Sequence, residues 1–589
     1  MRRQTVGDAD PWDSVKKTTH NSRLPVFRIP PEVLEAIFLR LLETIRAGSP
    51  HGTAESGSFA FLFVCRHWYE VAVNAQNLWC HWDSKAERWT TFLDRSKRAP
   101  LHLRFFSNVA RDLDNKTVKA AGEMFQSLEV QSRFIDVDFR GARYFVNMYL
   151  RLSKTWSRPE YPSPLKSLRL RPADDQLAIR DTSQTPVIIP SHYWLKLFPE
   201  LDELELRDCR CDWDAPIFFT SSLRRLVIVS RDPLHNPKMP QIESMIYHNR
   251  ALDHLELSAP VGCQPSQTLS PPLPFLRTLG VSGALPDAIN LLRHLNPPRT
   301  LERLDLALIT DSFGELDFGG PFLRGFHAQR TTVRRVDVEL KNSSIVVRGF
   351  NSLDNTAEPF SVIEIVQGHR PQPAGTRLWQ KLNIYAVCGA AFPLESVEKL
   401  SIRGEGQFRP GWPQDAIKLF EVLSPTLGEV EAFGRHISIG VVEALTAPPT
   451  RGAHGSWFSP ARSQLPNLKY LRLVGVDLED QMEDALIPFH RLLKHCIESR
   501  RDAKTRFGVR RLKRLEIDNR ESYDLNDMCK FATPLMWRYH LTHISSVGHD
   551  RPARHSGARR RVVHRGLCCL TIWSQHVDFM RHEPKYPIW

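Results

Sequence analysis

Leu201-Asp-Glu-Leu-Glu-Leu206, Leu223-Arg-Arg-Leu-Val-Ile228 and Leu252-Asp-His-Leu-Glu-Leu257 share one hydrophobic pattern, apolar at the first, fourth and sixth places. The fourth and sixth places are two apart, so on a strand both point to one side and the residue between them points to the other. The same pattern occurs earlier at Leu165/Leu168/Leu170 and later at Leu276/Leu279/Val281 and Leu301/Leu304/Leu306. It continues more loosely at Val333/Val336/Val338, Val397/Leu400/Ile402, Leu427/Val430, Leu468/Leu471/Leu473 and Leu512/Leu515/Ile517. Between several of these lie stretches with apolar residues at helical spacing, among them 287–295 and 415–423. Strand and helix alternating along most of the sequence predict units that bury their apolar faces only by stacking on their neighbours.

That is the logic of leucine-rich repeats, and the fold class expected is α+β/repeat: a small helical N-terminal module followed by an irregular α/β leucine-rich-repeat-like solenoid over residues 161–548. The spacing between first positions is uneven, 22 from Leu201 to Leu223, 36 from Leu165 to Leu201 and 64 from Val333 to Val397. The Asn or Cys that such repeats bury three places beyond the sixth position is present only as Cys209. A distorted horseshoe with insertions is therefore expected; a non-repeating α/β domain whose strands share one pattern is the alternative. The outward row between fourth and sixth positions reads Arg169, Glu205, Val227, Glu256, Gly280, Asp305, Asp337, Ser401, Glu431, Arg472 and Glu516. Its middle is acidic, which makes Glu205, Glu256, Asp305 and Asp337 candidates for holding a partner that presents Lys or Arg, with a solvated strand face as the competing reading.

At 589 residues the protein is too long for a single core. Hydrophobic residues at 42% and charged residues at 25% argue against a fibrous or wholly disordered protein. No stretch has the apolar length of a spanning helix, and residues 1–8 lack the apolar core of a signal peptide, so no membrane partner and a cytoplasmic and/or nuclear location are expected. The ten cysteines are accordingly expected to be reduced, and the acceptor tripeptides at Asn115 and Asn342 to be unglycosylated. The net charge of +13 is carried by two runs, Arg500 to Arg514 and Arg551 to Arg565, and the remainder is neutral, so a nucleic-acid groove through the fold is not expected. There is no Gly-x-Ser-x-Gly, phosphate-binding loop or His-Glu-x-x-His, and Asp317-Phe318-Gly319 stands without the other parts of a kinase site. A non-catalytic protein with no cofactor or metal is the expectation.

Residues 1–23 are polar and aperiodic, a flexible tail. The module at 24–82 opens with Ile29-Pro30-Pro31-Glu32 and a helical apolar stripe of Val33, Leu34, Ile37, Phe38, Leu41 and Leu42, its prolines in the first turn where a missing N–H costs nothing. A loop at 46–58 leads to a second helical stretch from Phe59 that ends near Asn77-Leu78-Trp79. The order Ile29-Pro30-Pro31-Glu32, Ile37-Phe38, Leu41, then Val64-Cys65-Arg66-His67-Trp68, then Leu78-Trp79 is similar to the F-box motif. The resemblance implies a contact at or beside Pro30, Leu34, Ile37, Leu41, Val64 and Trp68 with a Skp-type adaptor, which joins such proteins to a cullin complex and the ubiquitin machinery. It implies a substrate-receptor subunit of an SCF-type E3 ligase whose repeat domain holds an unknown protein substrate; a repeat scaffold with no ubiquitin link is the alternative. The sequence departs from the family at 43–58, a longer insertion between the first two helices than the family's short connection. Residues 83–160 are expected to be a connector, 480–501 an amphipathic helix carrying Leu486, Phe489, Leu493, Cys496 and Ile497, 549–566 a disordered basic segment, and 567–589 a C-terminal segment with one strand.

Overall fold

The computed structural model describes residues 28–48, 60–83, 89–106, 122–140, 146–150, 164–171, 187–189, 198–264, 272–310, 313–367, 384–404, 412–446, 465–476, 488–507 and 512–518, apart from 148, 231, 330–331, 342–343 and 424–425. The expected tail, the basic segment at 549–566 and the C-terminal segment lie outside these residues.

Helices α1 (Pro31–Gly48) and α2 (Arg66–Asn74), with single 3-10 turns at Ala60–Phe63 and Gln76–Trp79, form the N-terminal helical unit. A strand, β1 (His81–Asp83), follows at once, and α3 (Trp89–Ser96) leads to β2 (Leu101–Phe106) and β3 (Phe134–Arg140). Next come β4 (Ser167–Arg171), β5 (Val187–Ile188), β6 (Glu203–Arg207), β7 (Cys209–Arg210), β8 (Arg225–Val229), α4 (Met239–His248), β9 (His254–Ser258), β10 (Thr278–Ala284), α5 (Leu285–Leu295) and β11 (Arg303–Thr310). The remainder is α6 (Phe313–Ala328), β12 (Arg335–Leu340), β13 (Ser344–Phe350), β14 (Ser361–Gln367), α7 (Ile384–Ala391), β15 (Lys399–Gly404), α8 (Trp412–Leu423), β16 (Glu429–Phe433), α9 (Arg435–Thr446), β17 (Tyr470–Val474), α10 (Phe489–Phe507) and β18 (Arg514–Asp518).

The result is a mixed α/β fold built on one large, mostly parallel sheet. Its order is β1-β2-β3-β4-β6-β8-β9-β10-β11-β14-β13-β12-β15-β16-β17-β18, with β5 and β7 paired separately. Sequence order and sheet order agree except at one place, where β12 lies three positions beyond β11 and the backbone doubles back through β13 and β14 to fill the gap. Only the pairs flanking β13 are antiparallel. This insertion accounts for part of the long interval between Val333 and Val397. The sheet also begins earlier than expected: β1 straddles the boundary at 82/83 between the stretches assigned to the helical module and to a connector, and β2 and β3 lie in the connector. Leu101 and Leu103 are buried there without a leading leucine three places ahead, so the six-residue pattern does not reveal them.

Fourth and sixth positions do share a face. Leu204, Leu206, Leu226, Ile228, Leu255, Leu257, Leu279, Val281, Leu304 and Leu306 are all buried in one continuous core. The helices cover that face, and from α5 to α10 each packs against the next in sequence order. Helix α5 shows why: Leu285, Ala288, Ile289, Leu292 and Leu295 are buried at helical spacing. Pro286 sits in its first turn, Asp287 favours the positive end of the helix, and Asn296 ends it in a left-handed conformation. The leading positions Leu201, Leu223, Leu252 and Leu276 are buried too, just before their strands.

The passage from strand to helix is tight where β16 meets α9. Gly434 has φ +105, and a Cβ there would collide with the carbonyl oxygen of Gly404 on the neighbouring strand. Gly434→Ala should therefore lower unfolding stability by about 2 kcal/mol or more, since it adds left-handed strain to a backbone clash. Leu255→Ala, which empties a site with no exposure, should cost about 2–5 kcal/mol. Denaturant midpoints at unchanged slope would measure both.

Candidate partner-binding surfaces

Helix α1 carries two adjacent apolar stripes with opposite fates. Leu34, Phe38 and Leu42, four residues apart, are fully buried. Phe38 stacks on Phe61 with ring centroids 4.4 Å apart and meets Trp68 edge-on at 5.2 Å. The stripe one residue earlier, Val33, Ile37 and Leu41, is between 42% and 48% exposed. Phe63, at 86% exposure, and also Val64 and Tyr69, add open apolar surface on the next turn and helix. An isolated exposed apolar residue is ordinary, but six within one small helical unit mark surface that folding leaves uncovered.

The residues singled out from the sequence therefore divide. Ile37, Leu41 and Val64 are open. Pro30 is exposed at the helix start, its carbonyl accepting the N–H groups of Val33 and Leu34. Trp68 is half-buried against Phe38, and Leu34 lies wholly in the core, so it cannot touch a partner. Val33, Phe63 and Tyr69 were missed, although Val33 stands four residues before Ile37 and shares its stripe. Leu78 and Trp79 are internal: the Trp79 indole donates to the Ala72 carbonyl at 2.7 Å, packs on Phe92 at 5.1 Å and carries the Arg95 guanidinium over its ring at 4.3 Å. Trp79 thereby ties α2 to α3, the helix that precedes β2. Of the insertion expected at 43–58, with its loop at 46–58, residues 43–48 instead continue α1 as helix, and 49–58 lie outside the described residues.

On the face of the sheet away from the helices, the outward row stands in register from strand to strand. Arg104 pairs with Asp138, then come Arg169, Glu205, Val227, Glu256, Gly280 and Asp305. Val362 and Arg348 from the doubled-back strands come next, followed by Asp337, Ser401, Glu431, Arg472 and Glu516. The four candidate carboxylates belong to one row, but each already faces an arginine of the same protein. Arg207 lies 2.6 Å from Glu205 and forks onto Glu256 at 2.9 and 3.1 Å; Arg303 holds Asp305 at 2.9 Å and Arg335 holds Asp337 at 3.2 Å. These arginines sit two residues from the row, on the same face, so the single row read from the sequence overstated its acidity.

The pairing is built by local shape. Arg207 reaches from β6 to β9 across Val227 and Val229 of β8. Glu256 leans over Gly280, where a Cβ would stand 2.7 Å from its Cγ, so glycine keeps that space open. Toward the N-terminal end the pairs fuse into a network: Arg169 donates to Glu203 at 2.7 Å and approaches Asp136 and Asp138, and Arg171 donates to Asp138 at 2.7 and 2.8 Å. Burial pushes the Asp136 and Glu205 carboxyls up, but at Asp136 its hydrogen bond to His102 and the nearby charges of Arg169 and Arg104 outweigh burial, and at Glu205 Arg171, Arg207 and Arg225 do so. Both are held below their ordinary range. At Asp337 burial prevails over Arg335, and its carboxyl is raised.

Of the first basic run, Arg500 is buried and donates to the carbonyls of Leu465 and Leu468, tying α10 to the lead of β17. Among the described residues no group of three or more His, Cys, Asp or Glu side chains could hold a metal ion, and no helix is long and apolar enough to cross a membrane.

Because Asp136 and Glu205 are depressed in the folded state, the stability they contribute is present above ordinary carboxylate pKa values and is lost as pH falls through their lowered ones. Asp337 acts with the opposite sign. Glu205→Gln should lower stability at pH 7 by about 2 kcal/mol, because its side chain is 4% exposed and two arginines lose a partner. It should also flatten the acid limb of a stability–pH profile, which unfolding midpoints from pH 7 to pH 3 would reveal. Comparison of the sequence with protein-family models and with curated proteins finds no match to either.

Proposed function

We propose that this molecule is an F-box protein, the substrate-receptor subunit of an SCF-type ubiquitin ligase. The observation that supports it most is the coincidence at the N-terminal helices: Ile37, Leu41 and Val64, positions the F-box resemblance assigns to the adaptor contact, carry open apolar side chains beside a stripe that is fully buried. A Skp-type adaptor covering Val33, Ile37, Leu41, Phe63, Val64 and Tyr69 removes that surface from water, which favours association in proportion to the apolar area covered. Leu34 and Trp68 act from behind, shaping the helix pair rather than touching the adaptor.

On this reading the α/β region is an irregular leucine-rich-repeat-like solenoid interrupted by the β13 and β14 insertion, and its polar face is where a protein substrate docks. Since Glu205, Glu256, Asp305 and Asp337 each have an internal arginine, an incoming Lys or Arg must displace it, and the fitting partner is one of mixed charge rather than a basic peptide. The protein needs no nucleophile of its own. It holds a target near a conjugating enzyme carried by another subunit, and the raised effective concentration does the rest.

The test is capture of a purified Skp-type adaptor by the full-length protein and by an Ile37→Asp/Leu41→Asp variant, with folding checked by circular dichroism. Capture by the parent, reduced at least about tenfold in the folded variant, is expected. A folded parent that captures no adaptor overturns the assignment and leaves a repeat scaffold without a ubiquitin link.

A further inference from the structure

The edge of the sheet at which the strands begin is built from one turn used again and again. Leu252, Leu276 and Leu301, the leading residues ahead of β9, β10 and β11, each donate a backbone N–H to the carbonyl three residues before, at 3.2 Å in all three. The residue after each leader is bonded to its counterpart on the next strand, the Arg277 N–H to the Asp253 carbonyl and the Glu302 N–H to the Arg277 carbonyl, both at 2.8 Å. Equivalent places in the three turns therefore stand side by side, one strand spacing of about 4.8 Å apart. The place two before the leader holds Arg250, Pro274 and Arg299, and the place one before it holds Ala251, Phe275 and Thr300.

Phe275 is 64% exposed and has only the smaller Ala251 and Thr300 beside it in its row. Tyr247, in the last turn of α4 just ahead of the first of these turns, is 57% exposed. Its ring meets that of His248 edge-on at 5.3 Å and carries the Arg250 guanidinium at 5.0 Å, so ring and cation are both held in place without being covered. The residue after each leader alternates in sign from strand to strand as Asp202, Arg224, Asp253, Arg277 and Glu302, and Arg224 meets Asp202 at 3.4 Å while Arg277 meets Glu302 at 3.5 Å. Arg250 and Arg299 lie outside this ladder. Both are exposed, and among the described residues neither has a carboxylate within ion-pair distance. Ladder and flanking pair together set four arginines against three carboxylates.

We propose that the turns ahead of β9, β10 and β11 form a docking surface for a segment of another protein, anchored by an aliphatic or aromatic side chain with an Asp or Glu beside it. Phe275 and Tyr247 offer apolar area that folding leaves in water, and Arg250 and Arg299, one on either side of Phe275, offer guanidinium donors to the carboxylate. Aromatic rings and arginines gathered on one small patch are the composition of the centre of an interface, whereas solvated surface is richer in Lys and Glu. Single-stranded nucleic acid also favours Arg with aromatic rings, but it needs an unbroken cationic track for successive phosphates, and Asp253 and Glu302 interrupt this one. The surface belongs neither to the polar face nor to the stripe on α1, and it does not depend on a ubiquitin link.

The experiment is selection of random dodecapeptides displayed on phage by the full-length protein, with a Phe275→Ser/Arg299→Ser variant as counter-bait so that only peptides needing this surface are kept. The kept sequences should share an apolar residue with Asp or Glu next to it. A synthetic copy of one, followed by fluorescence anisotropy, should lose at least about tenfold in affinity on Phe275→Ser and, separately, on Arg250→Ser/Arg299→Ser, and should bind Ile37→Asp/Leu41→Asp like the parent. The substituted side chains of this edge are all exposed, so the variants should unfold within about 2 °C of the parent. Selection that keeps no peptide, kept peptides whose shared charge is basic or absent, or an affinity unchanged in the variants overturns the proposal. So does an oligothymidylate that binds the parent more tightly than the peptide and is lost in the same variants. Because Ile37 and Leu41 take no part in the selection, failure here stays separate from failure of the adaptor capture.

Discussion

Stacking of apolar side chains between one parallel sheet and the helices behind it is the constraint on which the rest of this fold depends. Each strand contributes two inward residues, such as Leu255 and Leu257 on β9 or Leu304 and Leu306 on β11, and no single strand–helix unit could bury them alone. Parallel pairing requires a long crossover between neighbours, and the intervals between strands supply room for a helix or an irregular segment that covers the same face. The fold therefore grows by addition, and an insertion such as β13 with β14 is tolerated because it pairs with the strands on either side and keeps the sheet continuous.

The outward face obeys a second constraint. Inward leucines look alike from strand to strand and specify register weakly, whereas charged pairs of defined partners do not. Arg171 on Asp138 and Arg207 on Glu256 link particular strands and oppose a slip. Largely buried ion pairs of this kind add little net stability, because desolvation offsets their attraction, yet breaking one is costly. The face is thus stiff and largely neutral.

The helical unit follows a different logic. Two helices and two single turns are too small to enclose all their apolar residues. Phe38 closes the interior against Phe61 and Trp68, and Trp79 fastens α2 to α3, while Ile37 and Leu41 remain outside. The unit thus combines a packed aromatic interior with an uncovered apolar stripe.

Much of the architecture was legible in the sequence. The spacing of Leu252, Leu255 and Leu257 and its echoes determined where most strands lie and which side of each is buried, because period-two geometry is local. The amphipathic stretch from Val33 to Leu42 determined a helix for the same reason. Strand β1 is only three residues long and β2 lacks a leading apolar residue, whereas β3 carries the pattern in full as Phe134, Val137 and Phe139 and was passed over because its leader is aromatic; the doubled-back pair carried a plain β pattern whose partners no local rule names. Which of two adjacent apolar stripes, Leu34 or Ile37, enters the core was decided only by where Phe61 and Trp68 arrive, since periodicity alone gives both equal claim. The arginines beside Glu205, Glu256, Asp305 and Asp337 were visible in the sequence, but their pairing depends on which strands become neighbours and how far a side group reaches across them. Charge compensation and exposure are properties of assembled neighbours, and only the tertiary structure brings those neighbours together.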